Sequence, residues 1–254
     1  MSFGHTLILG LIAGGTIVFG LPVGRLRGLT PNLRQFLSAL AVGVLIFLVW
    51  DVLSHAWDPV DSALSADGGA HWGTAIGYGL IFFAGLAVGL LALTWYERRL
   101  HGGVLTPARL ATLIALGIGL HNFAEGLAIG QSAASGAIGL AVLLVIGFAL
   151  HNATEGFGIV APLSGERPSW GFLGLMALIG GGPTLLGTMV GHSFTSQVVS
   201  VAFLTLAAGS ILYVVIQLIG VAARHRRTDI LATGIFIGMV AGFVTDAIVT
   251  AGGA

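Results

Sequence analysis

The chain has 254 residues, 56% of them hydrophobic and 8% charged, with a mean hydropathy of +1.00 and no net charge. A soluble domain carries about 25% charged residues, so the composition excludes a soluble globular protein and points to a polytopic membrane one. Zero net charge gives no reason to expect a nucleic-acid partner, and the absence of cysteine excludes disulfides and thiolate metal sites.

A helix needs about 20 apolar residues to cross the hydrocarbon of a bilayer. The first such run, 3–21, follows no basic segment and shows no small-residue cleavage pattern, so it reads as a retained span rather than a signal peptide. Seven more runs follow at 33–56, 72–96, 107–130, 137–161, 170–191, 198–222 and 230–251. The predicted fold is all-α: a single domain over 1–254, with eight transmembrane helices in one bundle. The breaks are short, from "GRLRGLTPN" after the first run to "ARHRRTD" after the seventh, and none is long enough to fold alone.

All ten basic residues are arginines, and they flank alternate breaks. Arg25, Arg27 and Arg34 flank the first, and Arg98, Arg99 and Arg109 the third. Arg167 lies in the fifth, and Arg224, Arg226 and Arg227 in the seventh. Short cytoplasmic loops concentrate positive charge, so these breaks are expected in the cytoplasm and both termini outside, in a multi-pass protein of the cell membrane. The opposite side is arginine-poor and carries Asp58, Asp61, Asp67 and His71. It reads either as a solvated acidic loop or as a cation-attracting vestibule. Glycines recur four apart at Gly85 and Gly89 and at Gly234, Gly238 and Gly242, a spacing that lets membrane helices approach closely.

Several polar groups stand inside the spans. Asp51 and His55 form an i,i+4 pair in "WDVLSHAW", flanked by Trp50 and Trp57. The pair reads as a structural hydrogen bond, an interfacial anchor or an entrance site. Asp246 lies in the eighth span, and an isolated acid there marks function by default. Gln217 is a polar group in the seventh span.

The strongest signal is a duplicated motif. "LHNFAEGLAIG" covers 120–130 and "LHNATEGFGIV" covers 150–160. A carboxylate at the centre of a membrane helix costs at least about 2.5–3.5 kcal/mol on insertion scales, so Glu125 and Glu155 each require compensation. Residues four apart share a helix face, which pairs His121 with Glu125 and His151 with Glu155. The link "QSAASG" is short, so the two helices are expected to be antiparallel neighbours, with two imidazoles and two carboxylates at one depth. A nitrogen and oxygen cage of this kind suits a borderline divalent metal such as Zn²⁺. Asn122 and Asn152 point about 100° away from the histidines. They either serve an adjacent, weaker metal position or orient the ligands through hydrogen bonds. One His–Glu pair is equally well a structural hydrogen bond; the repetition in adjacent spans argues for a ligand set. The spacing differs from the Glu-x-x-His of di-iron bundles and the H-E-x-x-H of zinc proteases.

The two motifs and eight spans resemble the ZIP (zinc- and iron-regulated transporter-like) family of divalent metal transporters. The resemblance covers the whole chain and is most specific over 117–160, where the family pattern is H-N-x-P-E-G. It implies uptake of Zn²⁺, or of Fe²⁺, Mn²⁺ or Cd²⁺, which the sequence does not separate, into the cytoplasm. The metal is then the transported substrate, not a catalytic cofactor. The resemblance also implies a site between the fourth and fifth helices with His121, Glu125, His151 and Glu155 as primary ligands, and a homodimer is in keeping with it. The chain departs from the family pattern at four places. Ala124 and Thr154 replace the prolines; Gly182 stands before Pro183 where many members carry Glu; Gln217 stands where His or Glu is common; and the third break, "ERRLHGGV", is short with one His101. A second metal position is therefore expected to be weak or absent. The alternatives are an intramembrane metal-dependent hydrolase, in which the same ligands activate water, and a metal-stabilised structural bundle. Asp51 and Asp246 above the site and Gln217 below it favour transport over enzymatic activity.

Overall fold

A computed structural model describes residues 1–26, 28, 30–66, 69–100, 106–163, 166–193, 196–223 and 227–251. Arg27, Asp67, His101, Arg224 and Arg226, named above, lie outside the described residues. Among the described residues the secondary structure is helical: α1 (Phe3–Gly15), α2 (Pro31–Leu64), α3 (Trp72–Leu100), α4 (Pro107–Ala134), α5 (Ile138–Val160), α6 (Trp170–Ser193), α7 (Gln197–Ala222) and α8 (Thr228–Ala251). The described residues thus hold eight helical segments, each long and apolar enough to cross a membrane. The expected all-α, eight-helix architecture is the one observed.

Two boundaries differ most from the apolar runs. The first span is α-helical only to Gly15 and continues as 3-10 turns over Thr16–Phe19 and Leu21–Arg25. Helix α2 continues past residue 56 to Leu64, carrying Asp58, Pro59 and Asp61 within it. Hydropathy marks where apolar side chains stop, whereas a helix stops where its backbone hydrogen bonds stop. Several ends carry recognisable caps. Thr30 and Thr106 accept hydrogen bonds from the amides of Leu33 and Arg109, each just ahead of a proline at the first helical position. Gly136, at φ +84°, takes the left-handed conformation that closes α4 and turns the chain back into α5. The two motif helices are therefore antiparallel neighbours.

Helix α4 packs chiefly on α6, α2 on α8, and α3 on α7, while α1 and its 3-10 extension lie along α5 and α6. These contacts are made through small residues, as membrane helix interfaces commonly are. Gly43 faces Gly238 across the α2–α8 contact, and Gly209 faces Gly89 across the α3–α7 contact. Gly85 abuts Thr205, and Gly234 and Gly242 abut Ala39 and Phe47. The glycine spacings seen in the sequence thus mark helix contacts.

The described arginine-bearing connections gather at one end of the bundle. Arg25 donates to the carbonyl of Pro168, and its guanidinium lies 4.6 Å from the centre of the Trp170 ring. The buried Gln35 amide donates to the carbonyls of Ala222 and Arg227, each at 3.0 Å. The first, fifth and seventh breaks therefore meet.

Candidate metal centre

Each copy of the motif is two interleaved i,i+4 pairs on adjoining faces of one helix. His121 and Glu125 on α4 face His151 and Glu155 on α5. The second pairs, Asn122 with Gly126 and Asn152 with Gly156, lie on the adjoining faces, beside α6 and the first span respectively. Gly126 rests on the backbone of Thr184 in α6, and Gly156 rests on Ile17 and Gly20 beyond α1. A Cβ at either glycine would overlap those backbone atoms. Ala124 and Thr154 are helical residues here, and both helices run unbroken through the motif. The motif glycines serve close packing.

The asparagines reach out to the same two helices. Asn122 donates to the Gly180 carbonyl at 3.0 Å, and Asn152 donates to the Ala13 carbonyl at 3.2 Å. The Ala13 carbonyl sits just before the switch from α-helix to 3-10 turn, whereas Gly180 lies within α6, one residue past Ile179, whose carbonyl Pro183 leaves without its helical N–H partner. Each asparagine also crosses to the other motif. Asn122 donates to Glu155 Oε2 and Asn152 to Glu125 Oε2, both at 3.2 Å.

The remaining carboxylate oxygens face the imidazoles. Glu125 Oε1 is bonded to His151 Nε2 and lies 3.0 Å from His121 Nε2. Glu155 Oε1 is 4.0 Å from His121 Nε2. It is buried and has no hydrogen-bond partner among the described residues. The two imidazole rings stand 6.1 Å apart. His121, Glu125 and Glu155 are 2%, 4% and 1% exposed, so water does little to screen their charges. Ligand atoms of His121, Glu125 and His151 all fall within 4.8 Å of one another, a spacing that one metal ion could bridge. For comparison, tetrahedral Zn²⁺ bonded at about 2.0 Å holds its ligand atoms about 3.3 Å apart. Glu155 stands outside that three-residue group, behind His121.

A cavity of about 570 Å³ leads to this cluster between α2, α4, α5 and α8. His121, Glu125 and His151 line its base, Leu144, Phe148 and Val249 its apolar wall, and Asp51, His55 and Asp246 the part toward the arginine-poor end. His55 Nδ1 lies 2.9 Å from the Asp51 carbonyl oxygen and 3.4 Å from its carboxylate. The two sequence readings of this pair therefore coexist, because it is hydrogen-bonded and lines the cavity as well. On the arginine-bearing side of the site the helices close on a buried apolar cluster that includes Ile114, Ile118, Ile159, Val214 and Leu218.

Gln217 does not join the cavity lining. Its amide donates to Glu97 on α3 at 2.9 Å, near the arginine-bearing end. Glu97 was missed in the sequence because it adjoins Arg98 and reads as part of a charged break. Its signal was an acid at helical spacing from the apolar residues of the third run. The carbonyls of Gly180 and Ala13 have no side-chain signature and could not have been found that way. Comparison with protein-family models and with curated proteins finds no match to this chain.

Proposed function

We propose that the protein transports divalent transition-metal ions, Zn²⁺ foremost, as a ZIP-type carrier. The reading rests on one observation above all: a buried cluster of two imidazoles and a carboxylate at the base of a cavity inside a bundle of membrane-spanning helices. Neutral imidazole nitrogen and carboxylate oxygen are the donors that borderline divalent ions prefer. Glu155 offers a fourth donor, a second carboxylate oxygen 4.0 Å from His121 Nε2. Asp51 and Asp246 offer negative charge on the approach and would raise the local cation concentration. Their placement along a path, rather than around a single reacting centre, supports transport over hydrolysis.

The side assignment follows from the arginines. With the arginine-bearing end in the cytoplasm, the cavity opens outside and the apolar cluster closes the inner half. Transport is then uptake in a cell membrane, and the described state is open to the outside. The test is Zn²⁺ accumulation by proteoliposomes containing the purified chain, measured with an entrapped indicator. Accumulation that is abolished in the Glu125→Gln and His151→Ala variants is expected. Empty-liposome rates for the unaltered chain, together with no Zn²⁺ binding in detergent, would overturn the proposal.

A further inference from the structure

The two carboxylates of the site are presented in the same unusual way. Glu125 turns Oε1 toward the imidazoles while Asn152 holds its Oε2. Glu155 leaves Oε1 buried without a hydrogen-bond partner among the described residues, 4.0 Å from His121 Nε2, while Asn122 holds its Oε2. Each asparagine is fully buried and is itself fixed by a carbonyl on a neighbouring helix. A carboxylate with one oxygen engaged by an amide donor is poorly placed to chelate an ion with both.

We propose that Asn122 and Asn152 are positioning residues that restrict each glutamate to one metal-binding oxygen, tuning the site to four-coordinate ions. The inference rests on the metal-site reading above and names what sets its selectivity. Two imidazole nitrogens and two single oxygens make a tetrahedral set, which suits Zn²⁺. Ca²⁺ takes six to eight oxygens, commonly through bidentate carboxylates, and Mn²⁺ favours octahedral oxygen sites. With both glutamates held to one oxygen, those ions are left short of ligands.

The rival is that the asparagines are ligands themselves. Their amide oxygens, Asn122 Oδ1 and Asn152 Oδ1, are buried and have no hydrogen-bond partner among the described residues. The two readings separate by stoichiometry and by coordination number.

The experiment uses Co²⁺ as the probe, bound to the full chain in detergent, because the intensity of its visible bands falls as coordination rises from four to six. The unaltered chain should give the intense four-coordinate spectrum with one ion per chain. Asn152→Ala and Asn122→Ala should each retain one ion per chain, weaken the bands toward higher coordination, and narrow the Zn²⁺-over-Mn²⁺ preference about tenfold, the usual scale for groups that orient metal ligands. Both variants are read because either alone could disturb folding; a monodisperse gel-filtration profile qualifies each. Unchanged spectra and preference in both variants would overturn the positioning role while leaving the metal site standing. A fall from two ions per chain to one would overturn it in favour of direct ligation. No Co²⁺ or Zn²⁺ binding by the unaltered chain would remove the inference together with the metal-site reading.

Discussion

Glu125 on α4 is bonded to His151 on α5, so one carboxylate joins the two halves of the duplicated motif. Its Oε1 also lies 3.0 Å from His121 of its own helix, and among the described residues no other acid has its oxygen this near both rings. Glu125→Gln keeps the shape and removes the charge. Since disturbing groups that merely orient a ligand costs 10–100-fold in affinity, losing the shared ligand should cost more than about a hundredfold. Isothermal titration with Zn²⁺ checks this. A Gln variant within about threefold of the parent would show that Glu125 is not a metal ligand.

Metal binding should also release protons. Both imidazole and carboxylate must be deprotonated to ligate, so protons and metal compete for the same atoms. Zn²⁺ affinity is therefore expected to fall as the pH is lowered from neutral toward about 5. Replacing both Glu125 and Glu155 by Gln should flatten that dependence. Titrations across this pH interval give the answer, and identical profiles for the parent and the double variant would contradict the ligand assignment.

Asp51 and Asp246 line the cavity without belonging to the ligand cluster. Their negative charge should act on the rate of arrival more than on final affinity. Asp51→Asn with Asp246→Asn is expected to slow uptake at low ionic strength by up to about tenfold, with the gap closing as salt screens the field. Equal uptake by parent and variant at low salt would remove the entrance role.

The motif glycines give a stability test. Gly126→Ala or Gly156→Ala places a methyl against backbone atoms of a neighbouring helix, and overpacking of this kind costs about 1–3 kcal/mol. A methyl at Gly174 on α6 would meet no atom of the described residues, so Gly174→Ala should leave stability unchanged or slightly raised. Thermal unfolding in detergent compares them. A Gly126→Ala variant as stable as the Gly174→Ala variant would contradict the tight α4–α6 contact.

Much of this site was legible in the sequence because it depends on helical periodicity. His121 with Glu125 and His151 with Glu155 had to share faces once the two runs were recognised as helices, and the short link fixed their antiparallel pairing. The asparagines were readable only as an alternative between ligand and brace. Their hydrogen-bonding targets are the carbonyls of Gly180 and Ala13, in segments remote along the chain. The extension of α2 to Leu64 was hidden because charged residues continue a helix as readily as apolar ones, while hydropathy stops at the first cluster of them. Gln217 was visible as a polar group at depth, but its partner Glu97 was masked by neighbouring arginines.

The antiparallel run of the two motifs has a consequence for direction. Helix α4 rises away from the arginine-bearing end, so Glu125 stands farther from that end than His121, by about 6 Å along the helix. Helix α5 descends, so the order is reversed and His151 stands above Glu155. By backbone height the motif residues form two storeys, His151 with Glu125 over His121 with Glu155, and the Glu125 side chain joins them by reaching both imidazoles. Each storey contributes one imidazole and one carboxylate, so under the proposed function an ion held there would meet the same chemistry from either end. Such a site carries no arrow of its own. Under the proposed function, the direction of net movement would be left to the metal gradient and to whichever end of the bundle is open.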